Sequence, residues 1–282
     1  MVKTICVCGA GTMGSGIAHV AAQSGFSTIL FDVNKEMLEK SLANIEKNLQ
    51  AQISKNKLTA EESSTILSRL IYTNNIKDCS ADIIIEAIVE DLDAKVDLVN
   101  QLAGINNPET IFATNTSSLS ITDIAGKVTD STKVVGMHFF NPAPIMKLVE
   151  VVKGAQTDEA VIKTVYELAK QMGKTPVICK DAPGFIVNRV ARPYYLEALK
   201  LVELGVADIE NIDKALEATG FKMGPFKLMD LIGMDVNYNV SNIVWQALYK
   251  PDRLTPSLIQ KAKLDAGELG RKTGKGFYSY SE

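Results

Sequence analysis

The chain holds only two histidines, and the second, His138, stands in GMHFFNPAP, at the end of an apolar run and just before a loop stiffened by Pro142 and Pro144. An imidazole can take or give a proton near neutral pH. Twelve residues on, Glu150 lies inside the apolar run KLVEVV, where a carboxylate is costly unless paired. If the two runs are neighbouring strands, Glu150 can accept the proton of one ring nitrogen and leave the other to act as a base. A satisfied core histidine beside an edge-strand glutamate is the plain alternative at this spacing. Ser117, in NTSSL, follows the strand-like TIFAT and should reach the same rim, although serines in such polar clusters are commonly turns or helix caps. Asn188, in DAPGFIVNR, is open to either reading in the same way.

The elements that must position these groups show in the hydrophobic pattern. Strand-like runs recur at 3–8, 27–32, 82–89, 110–114, 133–140, 147–152 and 175–180, with helical patterns between most of them. That alternation predicts a largely parallel, doubly wound α/β sheet, and ligands of such sheets gather outside the carboxyl ends of the strands. GAGTMG follows the first strand and opens a helix, with Gly9, Gly11 and Gly14 in the GxGxxG spacing. Gly9 allows the tight turn, Gly11 lets the backbone approach a pyrophosphate and Gly14 permits close helix packing, with Thr12 and Met13 as further cofactor contacts in the same turn. Asp32 ends the second strand 18 residues after Gly14, where a carboxylate can accept both hydroxyls of the adenosine ribose. Val33 and Asn34 follow it, with no arginine there for a 2′-phosphate, so NAD is favoured over NADP.

After Asp32 some forty residues depart from a minimal βαβ unit. Leu38, Leu42, Ile45, Leu49 and Ile53 form a helical stripe, with Lys40, Lys47, Lys55 and Lys57 on the solvated side, and Thr59 to Glu62 offers a capping box for a second helix. A helical hairpin over about 35–70 is expected to project from the sheet. From Gly184 onward the strand pattern gives way to successive helices, with breaks at Gly205, Gly220, Gly233 and around Pro251 to Pro256. The expected division is therefore a Rossmann-type domain over 1–182 and an all-helical domain over 183–282.

The 282 residues suffice for two domains, and 30 basic against 33 acidic side chains leave a net charge of −3, too little for a broad field that would hold nucleic acid or anionic lipid. Of the four cysteines, Cys6 and Cys8 sit two apart on one strand and cannot bridge each other normally. With Cys79 and Cys179 they are expected to be reduced packing residues, and no metal site is expected. No apolar run reaches the length of a membrane span, and the first one is too short for a signal segment, which places the protein in the cytoplasm.

GAGTMGSGIA, EAIVE, NTSSLSIT, GMHFFNPAPIMKLVEVV, DAPGFIVNR and RKTGKGFY together resemble the (S)-3-hydroxyacyl-CoA dehydrogenase family, most closely its short bacterial 3-hydroxybutyryl-CoA members, essentially from end to end. The resemblance implies NAD as cofactor and an acyl-CoA thioester as substrate, with roles in fatty acid and butanoate metabolism. It also implies a homodimer through the helical domain. On this basis His138 corresponds to the general base and Glu150 to its orienting carboxylate, while Ser117 and Asn188 hold the substrate's oxygen atoms. Glu90, Lys95, Asn141 and Lys272 match positions lining the cofactor, and Lys55 matches a CoA-binding lysine. The hairpin position that carries a serine near CoA in some relatives is Asn48 here. His19 matches no functional position and is read as a packing or surface residue. The rival readings are a dehydrogenase of a small free hydroxy acid and a non-catalytic NAD-binding or structural protein on the same scaffold.

Overall fold

The computed structural model describes residues 2–280, in two compact units that divide between Ala182 and Pro183. The first unit is built on eight strands: β1 (Thr4–Cys8), β2 (Ser27–Phe31), β3 (Leu70–Thr73), β4 (Ile83–Glu86), β5 (Ile111–Thr114), β6 (Val134–Phe139), β7 (Leu148–Lys153) and β8 (Thr175–Lys180). Their spatial order is β3-β2-β1-β4-β5-β6-β7-β8. The first six are parallel in the order 3-2-1-4-5-6 of a dinucleotide-binding sheet. Strand β1 is buried over Ile5 to Cys8, and all four residues of β4 are buried, as the apolar runs of a sheet covered on both faces require.

Two features depart from the simplest reading of the pattern. The sequence pattern does not predict strand β3, a four-residue edge strand whose only buried side chain is Leu70, too short to show a period. Strand β7 runs antiparallel to β6, and β8 returns parallel to β7, so the sheet is mixed at that edge. The short loop between β6 and β7 makes this possible, because antiparallel strands need no crossover helix.

The helices of this unit are α1 (Thr12–Gln23), α2 (Lys35–Ser54), α3 (Ala60–Ser68), α4 (Leu92–Ala103), α5 (Ile121–Ala125) and α6 (Glu159–Gln171). The expected hairpin is α2 with α3. Leu38, Ile45 and Leu49 are buried on one face of α2, and Lys40, Lys47, Lys55 and Lys57 are exposed. The hairpin is tied to α1 by a buried hydrogen bond from Ser41 Oγ to Ser15 Oγ, 2.8 Å. At the start of α3, Thr59 and Glu62 form the reciprocal capping box. Cys6, Cys8 and Cys79 are buried and unbridged, and Cys179 is a free thiol of intermediate exposure. No helix of the described residues is long and apolar enough to cross a membrane.

The second unit contains α7 (Val187–Glu203), α8 (Ile209–Ala218), α9 (Pro225–Ile232), α10 (Met234–Ala247) and α11 (Leu258–Asp265), around a core that includes Leu199, Phe226, Met229, Met234 and Val244. Two buried carboxylates organise it. Asp213 accepts the amides of Phe226 and Lys227 at the start of α9 and the hydroxyl of Tyr278. Asp230 accepts the amides of Phe277 and Tyr278 and the hydroxyl of Tyr280, which fastens the C-terminal segment to α9. Replacing Asp230 by Ala leaves three donors without their acceptor. The expected cost is about 2–4 kcal/mol in urea unfolding, since bonds to a charged acceptor are each worth more than neutral ones; a loss below about 0.5 kcal/mol would show that the anchor is dispensable.

Candidate active site

The turn after β1 brings backbone amides to the carboxyl edge of the sheet. Gly9 has a φ of +102°, and a Cβ there would lie 2.6 Å from the Ala87 carbonyl oxygen. At Gly14 a Cβ would fall 1.7 Å from the Gly9 oxygen, so only glycine lets α1 start this close to the strand. Gly11 faces open space and caps α1 with no side-chain hydrogen bond, which leaves the first-turn amides, at Thr12 and Met13, for an external acceptor. Asp32 is fixed beside the turn: Oδ2 accepts the Ala10 amide at 2.7 Å and Oδ1 the Asn34 amide at 2.9 Å. An uncapped helix start, room above Gly11 and an oriented carboxylate fit a dinucleotide, with its pyrophosphate on α1 and its ribose on Asp32.

Across the sheet, the antiparallel pairing of β6 with β7 sets His138 directly opposite Glu150. Nδ1 of the ring and Oε2 of the carboxylate are 2.7 Å apart, and both side chains are almost wholly buried. A carboxylate can only accept, so the proton stays on Nδ1 and any exchange with a third group falls to Nε2. The Phe140 ring leans on the imidazole at a centroid distance of 4.5 Å. Asn115 Oδ1 accepts the Phe139 amide at 2.8 Å and holds the end of β6 to the residue just past β5.

Ser117 is held by Glu90. Oε1 of Glu90 accepts the Ser117 amide at 3.0 Å, the Thr116 hydroxyl at 2.6 Å and the Ser118 hydroxyl at 2.8 Å. Behind it, the buried Lys95 ammonium lies 2.6 Å from Glu86 and 3.3 Å from Glu90. Lys95, expected along the cofactor, is thus 1% exposed and faces these two carboxylates. Glu86 also accepts from the Thr114 hydroxyl and the Ile88 amide. Its signal in the sequence is only an acid closing the apolar run DIII. Burial raises the pKa of the Glu90 carboxyl, but Lys95 and the hydroxyl and amide donors outweigh it, so the net pKa is lowered.

Asn48 and Lys55 on the hairpin, and Asn141 after β6, line a cleft of about 770 Å³ whose floor includes His19. His19 is fully buried, with no hydrogen-bond partner at either ring nitrogen among the described residues. Desolvation, followed by the nearby Lys174, lowers its pKa to about 4, so it packs as a neutral ring. In the second unit, Asn188 lies in the first turn of α7, and its carbonyl accepts from the buried Arg192. Arg192 also donates to the Asn237 carbonyl and the Ser241 hydroxyl, both at 2.9 Å. Lys272 forms an ion pair with Asp235.

The glycine turn, the oriented Asp32 and the strand order define a dinucleotide-binding domain, and a buried histidine–carboxylate pair stands on the same sheet. Residues 4–182 match the family model described as 3-hydroxyacyl-CoA dehydrogenase, NAD binding domain, and residues 184–280 match its C-terminal domain. A 3-hydroxyadipyl-CoA dehydrogenase of Escherichia coli is 47% identical over 99% of the chain, which spans 59% of that relative's length. A probable 3-hydroxybutyryl-CoA dehydrogenase of Deinococcus radiodurans is 43% identical, covering 97% of this chain and 99% of its own. The crystal structure of (S)-3-hydroxybutyryl-CoA dehydrogenase from Ralstonia eutropha superposes with a TM-score of 0.95 at 37% identity, with all of both chains covered. The chain belongs to the 3-hydroxyacyl-CoA dehydrogenase family, and its first unit is that family's NAD-binding domain.

The lowered pKa of Glu90 gives a pH dependence with a definite sign. Its hold on the Thr116–Ser118 segment is complete above the ordinary glutamate range and is lost as pH falls through the depressed value. Glu90→Gln should therefore destabilise the protein at about pH 7, and the difference from wild type should shrink by about pH 3. Urea unfolding at the two pH values checks it; an equal deficit at both would mean that the charge contributes nothing.

Proposed function

We propose that the chain catalyses NAD-dependent interconversion of an (S)-3-hydroxyacyl-CoA and the 3-oxoacyl-CoA. The observation that carries this reading is the buried His138–Glu150 pair near the carboxyl end of β6, on the sheet whose β1 opens into the dinucleotide turn. NAD, when bound, supplies the nicotinamide carbon that exchanges hydride with C3 of the substrate. Nε2 of His138 takes the proton of the 3-hydroxyl as the C–H electron pair departs, so that one proton and one hydride leave together. Glu150 stabilises the imidazolium that results and keeps the ring in the productive tautomer. In the reverse direction the imidazolium returns the proton to the 3-oxo oxygen.

The remaining roles follow from the family resemblance and agree with the residue types. The Ser117 hydroxyl and the Asn188 amide hold the substrate's oxygens. Glu90, Asn141 and Lys272 serve the cofactor side, with Lys95 acting behind Glu90, and Gly9, Gly11, Thr12, Met13, Gly14 and Asp32 hold the pyrophosphate and ribose. Asn48 and Lys55 border the cleft that takes the CoA nucleotide, where Lys55 would meet a phosphate. The relatives' names point to a butyryl or adipyl chain, so a short 3-hydroxyacyl group is the proposed substrate. A homodimer through the helical unit, a cytoplasmic location and work in fatty acid or butanoate metabolism belong to the same reading. Neither nucleic acid nor a membrane has a part in it.

Wild-type protein should reduce acetoacetyl-CoA with NADH and leave acetoacetate nearly untouched, which separates this reading from a free hydroxy-acid dehydrogenase. His138→Asn should lower turnover roughly 10²- to 10⁴-fold while NAD binding persists, as expected for loss of a general base. Steady-state rates with a parallel NAD titration decide it, and a variant that turns over like wild type would remove His138 from the chemistry.

A further inference from the structure

Lys174 occupies the turn between α6 and β8 and is 8% exposed, with no carboxylate partner among the described residues. Its ammonium donates to the carbonyl oxygens of Ala143 and Met146. Both belong to the segment 140–147 that joins β6 to β7. Desolvation, followed by nearby Lys147, lowers the pKa of Lys174 to about 8, so the position holds a cation at some cost to stability. An apolar side chain of the same length would fill the space without that penalty.

The segment it holds is compact. The amides of Ile145 and Met146 both donate to the Pro142 carbonyl at 2.9 Å, making one tight turn. Beside it, the Thr175 amide donates to the Lys147 carbonyl at 2.8 Å, and Lys147 Nζ reaches the Gly173 carbonyl at 3.4 Å. The turn also rests on α1, where a Cβ at Gly16 would come within 3.1 Å of the Ala143 Cβ and 3.2 Å of Pro144. The turn thus contacts both α1 and the start of β8. It follows His138 closely, carries Asn141 and leads into Glu150, and a one-residue slip across it would turn Glu150 to the other face of the sheet.

We propose that Lys174 is a positioning residue for the proton-transfer pair: by binding the Ala143 and Met146 carbonyls it fixes the β6–β7 turn, and through it the register of His138 against Glu150 and the placement of Asn141. The inference rests on the proposed function for its kinetic part alone.

The test compares Lys174→Met, Lys174→Arg and Lys174→Gln with wild type, using acetoacetyl-CoA reduction corrected for the folded fraction. Displacing a reacting group by about 1 Å can cost on the order of 10²-fold, so Lys174→Met should lose roughly 10- to 100-fold in kcat, with a smaller change in KM. Lys174→Arg should regain part of the rate, and hydrogen exchange at the Ile145 and Met146 amides should accelerate in the Met variant while the amides of β1 and β4 stay protected. A purely structural lysine would lower the folded fraction and leave kcat per folded molecule unchanged. Folded Lys174→Met with kcat within about 2-fold of wild type overturns the proposal. Should that variant not fold, Lys174→Gln decides, and wild-type kcat with unchanged exchange at both amides is the contrary result. Wild-type protein inactive on acetoacetyl-CoA would refute the proposed function, while the exchange data would still report whether Lys174 holds the turn.

Discussion

One rung of the sheet carries the heaviest constraint in the molecule: His138 on β6 opposite Glu150 on β7, two ionisable groups sharing a buried hydrogen bond of 2.7 Å. Removing either partner of such a pair strands the other away from water, at a typical cost of about 3–5 kcal/mol. The geometry around the rung keeps it closed. Gly136 lies where a Cβ would come within 2.7 Å of the Val152 Cβ, so the two strands approach closely just below the pair. Asn115 ties the end of β6 to the segment past β5, and the turn that follows is packed against α1. Strand pairing supplies the register and the neighbouring elements prevent it from slipping.

The same logic governs the buried Lys95–Glu86 pair of the first unit. Lys95 lies between Glu86 and Glu90, and Glu90 in turn gathers three consecutive residues, Thr116 to Ser118, by their hydroxyls and an amide. Glu90, beyond the end of β4 and paired with the buried Lys95 of α4, thereby fixes the backbone of the loop that bears Ser117. These interactions cost desolvation and return precision of placement, which the proposed transfer of a proton and a hydride would need more than it needs stability.

The parts of this arrangement that are local in sequence are legible in it. Gly9, Gly11, Gly14 and Asp32 announce the dinucleotide turn because each answers a steric or charge requirement within one βαβ unit, and the α2–α3 hairpin shows in its apolar stripe and capping box. Family resemblance adds the roles of His138, Glu150, Ser117 and Asn188, which residue spacing leaves ambiguous. What stays hidden depends on strand adjacency. Strand β3 is too short for a period, and whether β6 and β7 are neighbours cannot be told from the separation of His138 and Glu150 along the chain. Lys174 looks like any lysine before a strand until the loop carbonyls around its ammonium are seen. Glu86 likewise reads as the end of an apolar run until Lys95 is placed beside it.

The proposed function makes Glu150 the group that stabilises the His138 imidazolium, and the pH profile of Glu150→Gln tests it most directly. A neutral amide stabilises an imidazolium less than a carboxylate does. In the oxidative direction, which needs the neutral ring, the acid limb of kcat/KM should move to lower pH; in the reductive direction, which needs the imidazolium, the alkaline limb should move the same way, with turnover reduced in both. A folded variant whose limbs stay at the wild-type pH values and whose turnover is retained would show that the pair is structural and that His138 works without it.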